Sequence, residues 1–213
     1  MKHIRFKNIL LTAIICLSIT CSIQAQFGYG FAVTNNIYNR YTNPENPDVD
    51  TYNSAGSFLL NLGIGPKIWL GGEDFSFSAE GQGMISFLGL AAKDYKGLGM
   101  SAFPVMGKLN FGGLSGLNKE GKFGFSIGGG LQWSRTELYG LRDSFAEQGI
   151  TRDWFKTYVG EIGYGFGLSG FTAHAIVRYG FNPDTKANTF NFGLQYDFNL
   201  PKLKEITDPA SEL

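Results

Sequence analysis

The chain has 213 residues, with 18 basic against 18 acidic side chains and with 30 glycines and 15% aromatic residues. A neutral balance without a basic cluster excludes nucleic acid as a partner. After the first two dozen residues no run of about twenty apolar residues occurs, which excludes a helical membrane span.

At the start, Lys2, Arg5 and Lys7 precede an apolar run from Ile9 to Ile19, and Ser22-Ile23-Gln24-Ala25 follows. This reads as a secretory signal peptide over residues 1–25, with a small residue at the cleavage point. Cys21 raises a lipoprotein signal as the rival, but Ile19 and Thr20 fit the lipidation consensus poorly. Cys16 and Cys21 both lie inside this segment, so the exported chain is expected to hold no disulfide and no thiolate metal site. Losing the three basic residues leaves 15 basic against 18 acidic, a net charge of about −3.

From residue 26 onward the dominant signal is alternation of period two. Phe27 to Asn39 forms the first segment, and the polar stretch Arg40 to Asn53 follows it. In the second, Phe58, Leu60, Leu62, Ile64, Pro66 and Ile68 oppose Asn61, Gly63, Gly65 and Lys67, with Leu59 and Trp69 as exceptions. After Gly71 to Glu73 comes a third segment, Asp74 to Leu88, and after Ala91 to Gly97 a fourth, Leu98 to Gly112. Pro104, inside the fourth, cannot donate a ladder hydrogen bond.

Beyond Gly113 to Gly121, the fifth segment sets Phe123, Phe125, Ile127, Gly129, Leu131 and Trp133 against Gly124, Ser126, Gly128, Gly130, Gln132 and Ser134. Tyr139 to Phe155 leads to the sixth, where Tyr158, Ile162, Tyr164, Phe166 and Leu168 oppose Glu161, Gly163, Gly165 and Gly167. Ser169-Gly170 then reads as a two-residue hairpin turn. The seventh sets Phe171, Ala173, Ala175, Val177 and Tyr179 against Thr172, His174 and Arg178. After Asn182 to Asn188, the eighth is the clearest: Phe190, Phe192, Leu194, Tyr196 and Phe198 against Asn191, Gly193, Gln195, Asp197 and Asn199.

Eight such segments predict an all-β, eight-stranded antiparallel up-and-down transmembrane β-barrel over residues 26–200, followed by a short periplasmic tail, 201–213, in which Lys202 to Ile206 is suited to one helical turn. Odd connections are mostly long and polar and even ones mostly short, the pattern of an outer-membrane barrel with both termini in the periplasm. Gly113 to Gly121 is the poorest fit. A narrow barrel interior has room for glycine and serine but not for a large side chain at every position. A soluble sandwich explains the alternation but not the glycine of the polar face.

The last strand reads Asn191-Phe192-Gly193-Leu194-Gln195-Tyr196-Asp197-Phe198. Its polar, glycine and two aromatic positions (Asn191, Gly193, Tyr196, Phe198) resemble the C-terminal signal recognised by the barrel-assembly machinery. With the signal peptide and the eight segments, the chain resembles the small outer-membrane β-barrel domain family of the OmpA and OmpX type, in its Bacteroidota branch. That resemblance implies a multi-pass outer-membrane protein of a Gram-negative cell envelope, with membrane lipid around it. One departure is that Leu200 to Leu213 continue past the terminal aromatic, too short for a peptidoglycan-binding module.

Inward charges are expected in pairs, because an unpaired one costs several kcal/mol to bury. A Ser169-Gly170 turn pairs Leu168 with Phe171 and so sets Glu161 opposite Arg178. Pairing Leu90 with Leu98 brings Glu80 opposite Lys108, with a slip of two residues as the alternative, and Lys67 approaches Glu80 diagonally across the Gly71-Gly72 turn. An interior ionic network of Glu80, Glu161, Lys67, Lys108 and Arg178 follows, which fills and locks the barrel.

The function expected is structural or interaction-based, with an envelope protein as a partner for the outer loops. A narrow pore for small solutes or ions is the alternative, and a lipid-modifying enzyme is third. His174, the one histidine of the exported chain, falls near the periplasmic end, away from where such enzymes act. No catalytic set, metal site or cofactor is expected.

Overall fold

The computed structural model describes residues 25–44, 57–86, 98–139 and 153–207. The expected signal peptide, most of the first three long connections and the end of the tail lie outside the described residues.

The strands are β1 (Gln26–Thr42), β2 (Ser57–Gly71), β3 (Phe75–Gly81), β4 (Gly83–Ser86), β5 (Leu98–Gly112), β6 (Lys122–Tyr139), β7 (Phe155–Leu168), β8 (Phe171–Phe181) and β9 (Asn188–Asn199). All pair antiparallel with their neighbours, and β1 pairs with both β2 and β9, which closes the sheet. Because β3 and β4 are two parts of one staved strand, the barrel has eight. Their register against β2 and β5 is the same on both sides of Gln82. The gap lies opposite Pro104, whose carbonyl still accepts the Gln82 amide at 3.0 Å but whose nitrogen carries no hydrogen to return. The awkward proline is thus absorbed as one missing rung.

Alternation sorts the two faces as the pleat requires. Phe123, Ile64 and Tyr164 point outward and are 68%, 61% and 63% exposed, while Thr34, Ser78, Gln195 and Arg178 point inward and are fully buried. Register then places glycine opposite large inward side chains. Gly128 is the partner of Lys108, Gly63 of Met84 and Gly165 of His174. A Cβ on Gly128 would lie 2.6 Å from Lys108 Cγ, one on Gly63 2.8 Å from Met84 Cγ, and one on Gly165 2.5 Å from His174 Cβ. Such separations are forbidden by packing, so the glycines on the polar face are the space that the long residues occupy.

Three turns and both ends of the barrel sheet gather at one rim, the turn end. Ser169 and Gly170 have φ of 47° and 84°, the paired positive values of a two-residue hairpin turn that matches strand twist. The segment after β5 does not form a simple turn. It folds inward through a short 3-10 helix, Gly113–Ser115, and buries Leu114, Leu117 and Asn118. Leu200–Thr207 is helical, two turns where one was expected, with Pro201 in the first turn where its missing amide costs nothing.

Candidate functional site: a charge chain and a plug inside the barrel

Six charged side chains meet in the middle of the barrel, each at most 4% exposed. They alternate in sign along one path. Asp197 Oδ2 lies 2.9 Å from Lys67 Nζ, which lies 3.0 Å from Glu80 Oε2. Glu80 Oε1 is 2.7 Å from Lys108 Nζ, and Lys108 also contacts Glu161. Arg178 ends the path, with Nη2 2.6 Å and Nε 2.7 Å from Glu161 Oε2. The path crosses the lumen from β9 and β2 through β3 and β5 to β7 and β8. Three positive and three negative charges cancel, which burial in this setting demands.

Uncharged groups add hydrogen bonds to Glu80, Asp197 and Lys108. Gln195 donates to Glu80 at 3.0 Å and to Asp197 at 2.8 Å while its Oε1 accepts from Lys108 at 3.2 Å. Gln82 donates to Glu80 at 3.1 Å and accepts from Thr34 at 2.8 Å. Thr172 donates to Asp197 at 2.9 Å. In a contiguous polar layer of this kind the bonds strengthen one another, because each partner polarises the next.

The five residues singled out from the sequence all lie in this layer. Glu161 is the register partner of Arg178. Lys67 and Glu80 are direct partners rather than diagonal neighbours. Leu90 lies outside the described residues, but the register of the strands it joins is shifted by two from the Glu80–Lys108 alignment: Lys108 pairs with Ser78 and Glu80 with Met106. A shift of two keeps both charges inward, and their side chains are long enough to meet.

Asp197 was not among the five. Its signal was present in two forms: it sits on the inward face of the clearest strand, and the five residues alone carry an excess positive charge. Its partner Lys67 is two strands away across the closing seam, so no hairpin argument reaches it. The terminal-strand residues divide between the faces, with Asn191 and Gly193 buried, and Tyr196 and Phe198 partly exposed on the outer side. Phe198 stacks on Phe31 at a centroid distance of 4.8 Å. His174 is buried between its partners Gly165 and Gln195.

Below the charge layer, the turn end is stoppered. Trp69, the exception in the second segment, points inward and is 1% exposed. It lies against Gly116, where a Cβ would come within 2.7 Å of its Nε1. Lys67 Nζ is 5.4 Å from the Trp69 ring centroid. The inward segment is tied by Ser76 to the Ser115 carbonyl at 2.7 Å, by Ser115 to the Glu73 carbonyl at 2.6 Å, and by Asn199 to the Gly116 carbonyl at 2.9 Å. The long even connection is therefore a plug.

Above the layer, toward the loop end, the lining becomes uncharged. Met84, Met100 and Ala102 pack together, Met84 Sδ accepts from Arg178 at 3.4 Å, and Asn39 donates to Ser86 at 3.2 Å. Among these groups, Gln132 and Asn191, the packing leaves no space wide enough for a water molecule.

No protein-family model matches the chain, and no curated protein matches it. Among solved structures, the N-terminal β-barrel domain of Pseudomonas aeruginosa OprF is similar over 82% of this chain and 100% of that one, at 11% identity and a TM-score of 0.43. Neisserial surface protein A is similar over 83% and 99%, at 9% identity and a TM-score of 0.43. Ail, the attachment invasion locus protein of Yersinia pestis, is similar over 80% and 99%, at 13% identity and a TM-score of 0.38. The closure of the present barrel rests on its own strand pairing and not on that likeness.

Proposed function

We propose that this protein is an outer-membrane β-barrel with a structural or interaction role in the cell envelope, and that its interior does not conduct. The observation that carries the proposal is the inversion of polarity: large apolar side chains ring the outside while every charge of the central layer is neutralised inside. A water-soluble protein rarely exposes apolar patches beyond a few hundred Å², whereas a bilayer requires such a band. Aromatic residues such as Trp133 and Trp154, 38% and 46% exposed at the loop end, suit the membrane interface.

In this reading both termini face the periplasm, the loops face outward toward an envelope partner, and the barrel-assembly machinery inserts the chain through Asn191, Gly193, Tyr196 and Phe198. Membership of the OmpA and OmpX-type family, in its Bacteroidota branch, belongs to the same proposal and is supported by that terminal strand. Flotation with lipid vesicles and heat-modifiable migration on gels test the membrane reading; a species that stays in the aqueous phase and migrates identically with and without boiling refutes it. A pull-down from detergent-solubilised envelopes tests the partner.

The second reading, a narrow pore, draws on the continuous charge path across the lumen. Planar-bilayer recording separates the two: steady conductance by the unmodified protein establishes the pore, and closed traces support the structural role. Two closures in series, the charge layer and the plug, favour the closed state.

A further inference from the structure

On the wall formed by β9, β1 and β2, one residue runs against the inversion of polarity. Asn35 stands on the outward face of β1, with Leu62 and Leu194 as its register partners. It is half-buried, and its Oδ1 is covered without a hydrogen-bond partner. Between the polar rims, the other outward side chains among the described residues are apolar, aromatic or glycine.

Register fixes the depth of this residue. From Asn35 one row of partners passes over β9, β8 and β7 to Phe125 of β6. In the other direction the row passes over β2, β4 and β5 to Arg135, again on β6. One circuit of the barrel thus climbs ten residues of strand, about 33 Å, which at a tilt near 40° is about 25 Å of height. That is the height of the apolar band of an outer-membrane barrel. Asn35 is four strands from either end of the row and so lies at mid-height.

Hydrocarbon offers a carboxamide no partner, so the group stays costly there unless protein meets it. A spanning backbone is already satisfied internally, which leaves a polar side chain at the same depth as the complement. Resting on the membrane reading above, we propose that this wall is the contact between two copies of the chain, related by a two-fold axis along the membrane normal beside Asn35. Two copies inserted in the same direction hold Asn35 at one depth by symmetry, whereas another protein would match that depth only by coincidence. A carboxamide both donates and accepts, so each Nδ2 can donate to the other copy's Oδ1 once the side chain turns from the wall about its Cα–Cβ bond.

The surroundings suit such a contact. Leu62 and Ile64, 46% and 61% exposed, flank Asn35 with apolar surface. Arg40 is the exposed cation farther up β1. Tilted strands of two facing copies cross at about twice their tilt, which sets the two Arg40 side chains about 20 Å apart, beyond the reach of strong repulsion.

The test is energy transfer between donor- and acceptor-labelled full chain in phosphatidylcholine vesicles, followed as the protein is diluted with lipid. A saturable one-to-one association is expected. Asn35→Leu and Asn35→Ala should each weaken it about tenfold, the worth of a hydrogen-bonded polar pair between spanning segments. Asn35→Gln, which keeps the amide, should retain most of it, and Phe125→Leu on the opposite wall should leave it unchanged. Every variant should keep heat-modifiable migration, since none alters the charge layer or the plug. A chain that is monomeric at every dilution overturns the proposal, as does association indifferent to both Asn35→Leu and Asn35→Ala or equally weakened by Phe125→Leu. Failure to enter vesicles would instead refute the membrane reading, and the interface would fall with it.

Discussion

Glu161 is the point at which the charge chain can be cut with the least change of shape. Glu161→Gln keeps the volume but removes the negative charge between Lys108 and Arg178. Lys108 retains Glu80 at 2.7 Å and Gln195 at 3.2 Å, whereas the described side-chain contact left to the charged Arg178 is Met84 Sδ at 3.4 Å. A fully buried guanidinium stripped of its carboxylate costs about 3–5 kcal/mol. Adding Arg178→Met removes that orphan and leaves Asp197, Lys67, Glu80 and Lys108 as a balanced chain of four. The double variant should therefore return to within about 1 kcal/mol of the unmodified protein, because an apolar replacement of a buried pair is often close to neutral. Urea unfolding in lipid vesicles, read by tryptophan fluorescence, measures this directly, and Trp69 reports from beside the layer. If the double variant is as unstable as Glu161→Gln alone, the side chains do not act as one electrostatic unit and the reasoning fails.

Glu161→Gln alone should still give closed traces in a planar bilayer, because the plug remains; combined with Trp69→Ala and Leu117→Ala it should give measurable conductance, and conductance by the Glu161 variant alone would show that the plug seals nothing. Two outwardly similar glycines should behave oppositely. A Cβ on Gly65 would collide with the Gly81 carbonyl, while one on Gly81 would come no closer than 3.9 Å to Val105; Gly65→Ala should lose heat-modifiable migration, and Gly81→Ala should keep it. Phe198→Ala removes the stacking on Phe31 across the closing seam, so the yield of assembled barrel in membrane fractions should fall severalfold with export unchanged; normal assembly would argue against the terminal aromatic as a recognition element.

How far the fold was legible follows from the range over which each residue acts. Strand period and face are local properties, so Phe123 and Ile127 are assignable to the outside, and Gly128 and Glu161 to the inside, from the order of residues alone. A two-residue turn transmits register without error, and the Glu161–Arg178 pairing could be deduced from Ser169-Gly170. The connection before β5 transmits none, because a long loop is compatible with several alignments at nearly equal cost; there the pairing of Lys108 differs from expectation by two residues. Only closure of the sheet decides that Asp197 on the last strand meets Lys67 on the second. Strand period already puts Trp69 on the face of Lys67; only the filled lumen decides that the segment from Gly113 to Asn118 becomes a plug. Alternation thus determined which side of each strand is polar, while three-dimensional packing inside the closed sheet determined which polar groups meet.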